Sequence, residues 1–476
     1  MSCCDPLANK FQNIPKLAEI GDRGERTIFF NPNDYPVAFP FDQGFEGYHL
    51  DTGRAITANL ELAPGTTILW VKNTTSPGNT PANVSGQFTA EVPLGDKFVE
   101  VETATDYVLD AADYSTYNRV TKQWVAGGTL LAGTPTYIRN AATQDRYIGS
   151  LYAGWDAGAE PILPLPGPFN AVTRVLSWGE GITQLSLLGL NLTSVPSVLP
   201  TAIRSTTGMF AYSMSFAQDV SGFDTKNVTD MSGMFIACVG FNHPIETWDV
   251  GKVENFKGMF ISAFAFNRPI GQWDMKSAKT IEGMFYQAGS FNQPLSAWNT
   301  SNITNMQDAF HQSGFNNDVN GWDTSNVVKM AGLFASSIFN KPLSNWDVSK
   351  VETMHYMFHM NPAFNQNISM WDTSSVDNMT LMFDGATAFN QYIAMWDVSS
   401  VSNMHRMFNG ATAFNKNIGH WNVKPSAEMS FMFKGATAFN QDLSRWCVKF
   451  IPVKPEHFDT GATAWVLPRP AWDAPC

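Results

Sequence analysis

A 25-residue motif recurs without interruption through the second half of the chain, and nothing else constrains the fold as much. Its consensus is M-F-x-x-A-x-x-F-N-x-x-I-x-x-W-D-x-S-x-V-x-x-M. The Phe anchor stands at Phe210, Phe235, Phe260, Phe285, Phe310, Phe334, Phe358, Phe383, Phe408 and Phe433. The Trp anchor stands at Trp248, Trp273, Trp298, Trp322, Trp346, Trp371, Trp396, Trp421 and Trp446, with Phe223 in the first unit. A period of this length predicts a stack of similar units, each burying its apolar face against its neighbours.

The apolar spacing inside one unit predicts its local structure. From Val253 to Ala263 the apolar residues are 3, 3, 1 and 3 positions apart, as on one face of a short helical turn, with Asp249 before it as a cap. Around Ile270 an extended strand is expected, because Pro269 disfavours a helix there. If such strands stack at about 4.8 Å, ten units form a rod or arc roughly 50 Å long.

Two polar positions repeat as regularly as the apolar ones. Asn residues follow the second Phe of the unit, at Asn242, Asn267, Asn292, Asn316, Asn340, Asn365, Asn390, Asn415 and Asn440. Asp residues follow the Trp, at Asp249, Asp274, Asp323, Asp347, Asp372 and Asp397. They could be metal or sugar ligands, but a structural role is the stronger interpretation: an amide satisfies corner backbone groups and an Asp caps free N–H groups.

These residues resemble the BspA-like, leucine-rich-repeat-related family of bacterial surface proteins, in the W-D-x-S-x-V-x-x-M-x-x-M-F variant of mycoplasma-type lipoproteins. The resemblance covers residues 206–446, about half of the chain. It implies a mainly β solenoid of about ten leucine-rich-repeat-like coils with short helical turns, over 206–447. An ordinary leucine-rich coil at 171–205 would begin the stack, and 448–476 would be its closing cap. Members are implied to be adhesion or recognition proteins without catalytic residues.

The N-terminal half has a different sequence pattern, in which short runs of alternating apolar residues are interrupted by Pro and Gly. Such runs predict an antiparallel β sandwich or small barrel, which we place at residues 31–158 as an anchor domain. The Pro-rich stretch 159–170 is expected to be a stiff, extended linker. Residues 1–30 are hypothesised to dock onto a larger assembly.

Charge and hydropathy restrict the class of partner. The net charge is −12 and neither half carries a basic stripe, so nucleic acid is not an expected partner. No apolar run is long enough for a transmembrane helix, so membrane insertion is not expected. The first ten residues have no apolar core typical of a secretory signal. This led us to expect a virion protein, exposed after lysis, with a processed chain or a signal-independent export route as the alternative.

Five cysteines suggest different roles. Cys447 and Cys476 bracket the proposed cap, and a disulfide between them would contribute about 3 kcal/mol by the chain-entropy estimate. Two free thiols are the alternative. Cys238 occupies a core position, and the adjacent Cys3 and Cys4 could tether chains or carry a lipid, although a terminal pair without a role is the simpler interpretation.

Catalytic and metal chemistry find little support in the sequence. His355 and His359 stand at i and i+4, adequate for two ligands of a metal, but no third ligand is apparent. No nucleophile elbow, phosphate-binding loop or dinucleotide fingerprint is present. We therefore predict a protein that is not an enzyme and needs no cofactor or metal. A polysaccharide depolymerase with paired carboxylates remains a lesser alternative.

Positions that vary between units are better candidates for binding. Two of them, after the Phe-Asn step and before the Trp, should avoid the core and form stripes on the strand side of the stack. A merely solvated face is an equally good interpretation. The candidate binding residues are Arg268, Lys341, Gln366, Met370, Gln391, Met395, Lys416, His420 and Arg445.

Together these observations predict a β-rich anchor followed by a solenoid that recognises a host-surface glycan or protein without catalysis. The expected setting is a phage fibre or spike exposed on the virion surface. The N-terminal domain would contact other virion proteins and form a homo-oligomer, multiplying weak contacts. The alternatives are a bacterial cell-surface adhesin of the same family and a structural capsid or tail decoration protein.

Overall fold

The computed structural model describes sixteen short strands between residues 18 and 186, some adjoining residues, and residues 192–473 apart from 201 and 426. The strands are β1 (Ala18–Ile20), β2 (Arg26–Phe30), β3 (Val37–Phe39), β4 (Phe45–His49), β5 (Ala55–Ile56), β6 (Leu60–Leu62), β7 (Thr67–Lys72), β8 (Val99–Thr103), β9 (Tyr107–Leu109), β10 (Tyr114–Asn118), β11 (Gln123–Ala126), β12 (Gly128–Leu130), β13 (Thr136–Asn140), β14 (Arg146–Ile148), β15 (Val172–Trp178) and β16 (Gln184–Ser186).

Most of these strands pair antiparallel. One five-stranded sheet has the order β1-β2-β7-β4-β5 and a second has the order β11-β10-β13-β8-β15. Strands β12 and β9, and β3 and β6, form two-stranded pairs. The expected β-rich character is therefore present in the described strands of this half. Strands β1 and β2 lie within the segment predicted to dock onto other proteins, and β2 pairs with β7. The predicted linker at 159–170 lies outside the described residues.

The repeats form layers joined by a parallel ladder with one bridge residue in each unit. We number the layers by their Phe anchors, from layer 1 at Phe210 to layer 10 at Phe433. The ladder starts where β14 pairs with β16 in parallel, and Gln184 of β16 bridges to the first repeat. It continues through Ser205, Asp230, Asn255, Thr280, Asn305, Lys329, Thr353, Asn378, Asn403 and Glu428.

The predicted helical turn between residues 253 and 263 is wrong. Backbone N–H groups there alternate: Gly258 and Phe260 donate to layer 4, whereas Met259 donates to Phe256 three residues back. Gly258 and Ser262 are left-handed, with φ of 63° and 54°, which a right-handed helix does not allow. The spacing that resembles a helix therefore arises from tight turns alternating with bonds to the next layer, and no α-helix occurs among the described residues.

The predicted strand around Ile270 is also wrong, because that segment consists of loop and turn. The bridge ladder runs instead through the V-x-x-M segment that precedes the Phe anchor. Around Ile270 the layers are held by side chains. The indole N–H of each Trp anchor donates to a backbone carbonyl one layer back, as Trp273 does to Ile245 at 3.1 Å and Trp346 to Val319 at 2.9 Å.

Aromatic rings fill the core of every layer. The two Phe rings of a layer, such as Phe260 and Phe266, stack with centroids 3.7 to 4.3 Å apart throughout the array. The Phe anchors of successive layers lie 5.4 to 6.1 Å apart. All these anchors are fully buried, so apolar burial and ring stacking hold the layers together.

In the C-terminal segment the aromatic rings are no longer parallel to those of the preceding layers. Trp465 meets Phe433 and Phe439 edge-on, with interplanar angles of 74° and 83°. The Arg469 guanidinium lies 4.6 Å from the centroid of this indole and contacts Asp459. The rotated indole ends the parallel stacking, as a cap on a repeat array requires.

Candidate recognition surface

The nine predicted binding residues fall into two rows with different environments. We call the position after the Phe-Asn step the amide row: Arg268, Lys341, Gln366, Gln391 and Lys416. We call the position before the Trp the outer row: Met370, Met395, His420 and Arg445. Because the bridge ladder is elsewhere, neither row lies on the strand side where we had placed it.

Amide-row residues are half-buried, and several bond to the preceding layer. Gln366 Nε2 donates to Asn340 Oδ1 at 2.8 Å, and Gln391 Nε2 donates to Asn365 Oδ1 at 2.8 Å. Arg268 forms an ion pair with Glu246 at 2.7 Å. Much of this row's hydrogen-bonding capacity is therefore used inside the array.

The Asn ladder connects the same edge of the layers. Asn267 Oδ1 accepts the backbone N–H of Asn292 at 3.0 Å, and the equivalent bond recurs in each following layer up to Asn415 and Asn440. The last Asn side chain accepts the N–H groups of Val466 and Leu467 in the cap. Each amide thus replaces a backbone bridge where no strand forms.

The Asp residues after the Trp anchors cap tight turns rather than helices. Asp347 Oδ1 accepts the backbone N–H of Ser349 at 3.0 Å, and Asp323 and Asp397 bond Ser325 and Ser399 in the same way. The serine hydroxyl and then the serine N–H lower the pKa of each of these carboxyls, against the opposing effect of burial.

Outer-row residues are exposed and differ from layer to layer. Met370 in layer 7 and Met395 in layer 8 are each 82% exposed. In layers 9 and 10 the same position holds His420 and Arg445, whose Nδ1 and Nη1 atoms lie 3.4 Å apart. The row therefore changes along the array from apolar side chains to cationic or titratable ones, a combination suited to a partner with apolar and anionic groups.

Tyr392 belongs to this surface and was missed from the sequence. It is 66% exposed in layer 8, and the Lys416 ammonium lies 4.4 Å from its ring centroid. The equivalent position in the neighbouring layers is Pro342, Asn367 or Asn417, so one aromatic residue in a polar series could have identified it.

His355 and His359 flank the Phe anchor of layer 7, outside both rows. His355 Nδ1 bonds Thr353 Oγ1 at 2.6 Å, and His359 Nδ1 lies 3.5 Å from Asp384 Oδ2. Burial lowers the pKa of His355, partly offset by Asp308 and Asp377. Across the part of the chain that the structure describes, no three His, Cys, Asp or Glu side chains are grouped to hold a metal ion.

Cys447 is disulfide-bonded, and Cys476, its expected partner, lies outside the described residues. Cys238 is a buried free thiol that donates to the Phe210 carbonyl at 2.8 Å. Burial raises its pKa, so the thiol stays protonated and unreactive.

The geometry defines a protein built from repeated aromatic layers with an exposed, variable row along one edge. The chain belongs to the family described as "Mycoplasma protein of unknown function, DUF285", whose model matches residues 198–298, 284–380 and 361–463. No curated protein and no solved structure matches the chain. Among the residues described, no helix is long and apolar enough to cross a membrane.

Proposed function

We propose that this chain is a non-catalytic recognition protein, a leucine-rich-repeat-related solenoid of BspA-like type that binds a surface glycan or protein through its outer row. The observation that carries the proposal is the exposure of Met370 and Met395 at equivalent positions of adjacent layers. A chain that buries its other repeat-position methionines so completely gains nothing in stability from leaving these two in water.

The chemistry of the row supports binding rather than reaction. Thioether, phenol and aliphatic groups adapt to an irregular partner surface, and the adjacent Lys416, His420 and Arg445 supply positive charge. A single row of this size gives weak affinity, so oligomerisation through the N-terminal half would provide avidity.

We propose the surface of a virus particle as the location, with attachment to a host as the role. The alternative is a cellular adhesin, and one observation favours it: the family's description names mycoplasma, a cellular organism.

The experiment that separates these locations is immunolabelling with an antibody raised against residues 206–476, applied to purified particles and to cell envelopes of the source culture. Labelling of fibres or spikes on particles is the expected result. Labelling of envelopes alone would rule out the virion location and leave the adhesin.

A further inference from the structure

Positive charge is concentrated in the last two layers of an otherwise acidic chain. Residues 399–450 contain six Lys or Arg residues and two Asp or Glu residues, a net charge of +4, whereas the whole chain carries −12. Both carboxylates of this segment have local partners: Glu428 Oε1 accepts the Ser430 N–H at 2.6 Å, and Asp442 Oδ1 accepts the Ser444 N–H at 2.9 Å.

Two of these cations meet at one phenyl ring on the bridge-forming side of the array. The Arg406 guanidinium lies 5.1 Å and the Lys434 ammonium 5.2 Å from the centroid of Phe431. His405 meets the same ring edge-on at 5.7 Å, and its Nδ1 bonds Ser430 Oγ at 2.6 Å. Two permanent cations and a histidine therefore surround one aromatic side chain, with one carboxylate beside them, because Glu428 Oε1 lies 3.8 Å from His405 Nδ1.

No carboxylate among the described residues pairs with Arg406 or Lys434. By contrast, Lys257 pairs with Glu282 at 3.1 Å on the same side of earlier layers. The Nε atom of Arg406 is buried without a hydrogen-bond partner, although guanidinium groups that leave water normally gain one. Asp384 in the preceding layer accepts a hydrogen bond from the Asn409 amide at 2.6 Å.

Arg406 and Phe431 stand at a left-handed backbone position that recurs in every layer. Arg406 and Phe431 are left-handed, with φ of 56° and 58°, at the position that Gly233, Gly258 and Gly283 occupy in earlier layers. In layers 8 to 10 the glycine stands at the other left-handed position of the layer instead, as at Gly410. The same position holds Asp308, Tyr356 and Leu381 in layers 5, 7 and 8, so this conformation belongs to the repeat, and what distinguishes layers 9 and 10 is the charged and aromatic side chains placed there.

We propose that Arg406 and Lys434, with Phe431 and His405, form a binding site for the oxyanion groups of an acidic polymer, carrying phosphate, sulfate or carboxylate. Arg presents a planar fork to such groups and Lys a point charge, which together suit repeated tetrahedral or planar anions. The site lies on different positions of the repeat from the outer row and does not depend on recognition through Met370 and Met395.

The test is a titration of the full chain, at low ionic strength, with polyphosphate, dextran sulfate and polygalacturonate, using neutral dextran as the uncharged control. Binding to at least one charged polymer, and not to dextran, is expected, and the preferred polymer identifies the anionic group. Arg406→Gln with Lys434→Gln should weaken that binding at least tenfold, and added salt should weaken the wild-type interaction.

The control is a second double variant, Lys252→Gln with Lys350→Gln, which removes the same charge from earlier layers, where the two ammonium groups bond Asn227 and Asn326. It should bind the charged polymer within about twofold of wild type. Equal loss in both double variants, or no binding to any charged polymer, would overturn the proposal. If the first variant does not fold, the charge-conserving variant Arg406→Lys with Lys434→Arg replaces it. This variant should keep its affinity for the charged polymer, and a loss of affinity would also overturn the proposal. A Met370→Ser, Met395→Ser variant should leave polymer binding unchanged, so failure of the proposed function can be recognised separately.

Discussion

In this array, hydrogen bonds from single side chains join neighbouring layers, as backbone hydrogen bonds join neighbouring strands in a sheet. The indole of Trp346 and the amide of Asn340 each supply a hydrogen bond between layers where the backbone makes none. The sequence predicted a structural role for the Asn and Asp positions because they repeat together with the core residues. It did not reveal the partners, since an amide that bonds one unit away has no local signature. The periodic pattern does not predict Tyr392, because this exposed aromatic residue has no counterpart at the same position of the neighbouring layers.

Removing one indole N–H group tests whether these side-chain hydrogen bonds stabilise the array. Trp346→Phe keeps an aromatic ring in the core but removes one of the two hydrogen bonds to the Val319 carbonyl, which also accepts the Trp322 N–H, so it should cost about 0.5–1.5 kcal/mol of the free energy of unfolding. Trp346→Ala should cost about 3–5 kcal/mol because it also leaves a cavity. Urea denaturation monitored by fluorescence measures both. A Phe variant as stable as wild type would show that the ring, not the N–H group, matters.

The turn-capping carboxylates predict a dependence of stability on pH. Their pKa values are lowered in the folded chain, so their contribution is complete above the unfolded value of 3.8 and is lost as pH falls below it. The melting temperature should therefore drop as the pH falls from about 4 toward 2. The triple variant Asp323→Asn, Asp347→Asn, Asp397→Asn should drop less, because an amide caps the turn without titrating.

The chain itself supplies a precedent for that variant. Asn299 occupies the Asp position after Trp298 and accepts the Ser301 N–H at 3.2 Å, so the substitutions should preserve the fold. Parallel melting curves for the triple variant and wild type would mean that other groups govern the acid response.

At the scale of elements, the sequence correctly predicts a repeated unit of 25 residues, but it does not predict the local backbone structure of that unit. Apolar residues at spacings of three and four indicate a helix only when every N–H bonds within the segment. Here Phe256, Gly258 and Phe260 bond to the next layer, and glycine at the left-handed position prevents a helix. Pro269 correctly excluded a helix around Ile270, yet exclusion of a helix did not imply a strand.

Truncating one Asn side chain tests whether the hydrogen bonds of the Asn ladder stabilise the contact between neighbouring layers. Asn340→Ala removes the acceptor of both the Asn365 N–H and the Gln366 side chain, and should cost about 1–2 kcal/mol in urea denaturation. Asn340→Asp keeps an acceptor oxygen and should cost less than half as much. Equal losses would contradict a hydrogen-bonding role for the position.

At the scale of the whole molecule, stability is distributed over similar layers, each contacting only its neighbours. The layers that begin at Phe310 and Phe334 are 24 residues long, one fewer than the others. They keep both the bridge ladder and the ring stacks, because the missing residue lies in the corner between the two Phe residues of the layer. The repeated character of the chain was predictable from sequence for this reason. The face used by each variable row was not, since it depends on where the backbone turns.

Removing one complete layer should therefore leave a folded protein. Deleting residues 379–403 joins Asn378 to Met404 and restores the same register, so the product should unfold cooperatively and be shorter by about 5 Å in small-angle scattering. Deleting only residues 379–390 disrupts the register and should abolish cooperative unfolding. Tolerance of the half-layer deletion would contradict a stack of registered layers.

Binding of the full-length chain to cells of the source culture is the most direct test of recognition through the outer row. Wild type is compared with Met370→Ser, Met395→Ser and with Met360→Ser, which changes a methionine that is also exposed but outside the row. We expect at least a tenfold loss of binding for the double variant and no loss for the Met360→Ser control. Wild-type binding by the double variant, or equal loss in both variants, would contradict recognition through the outer row.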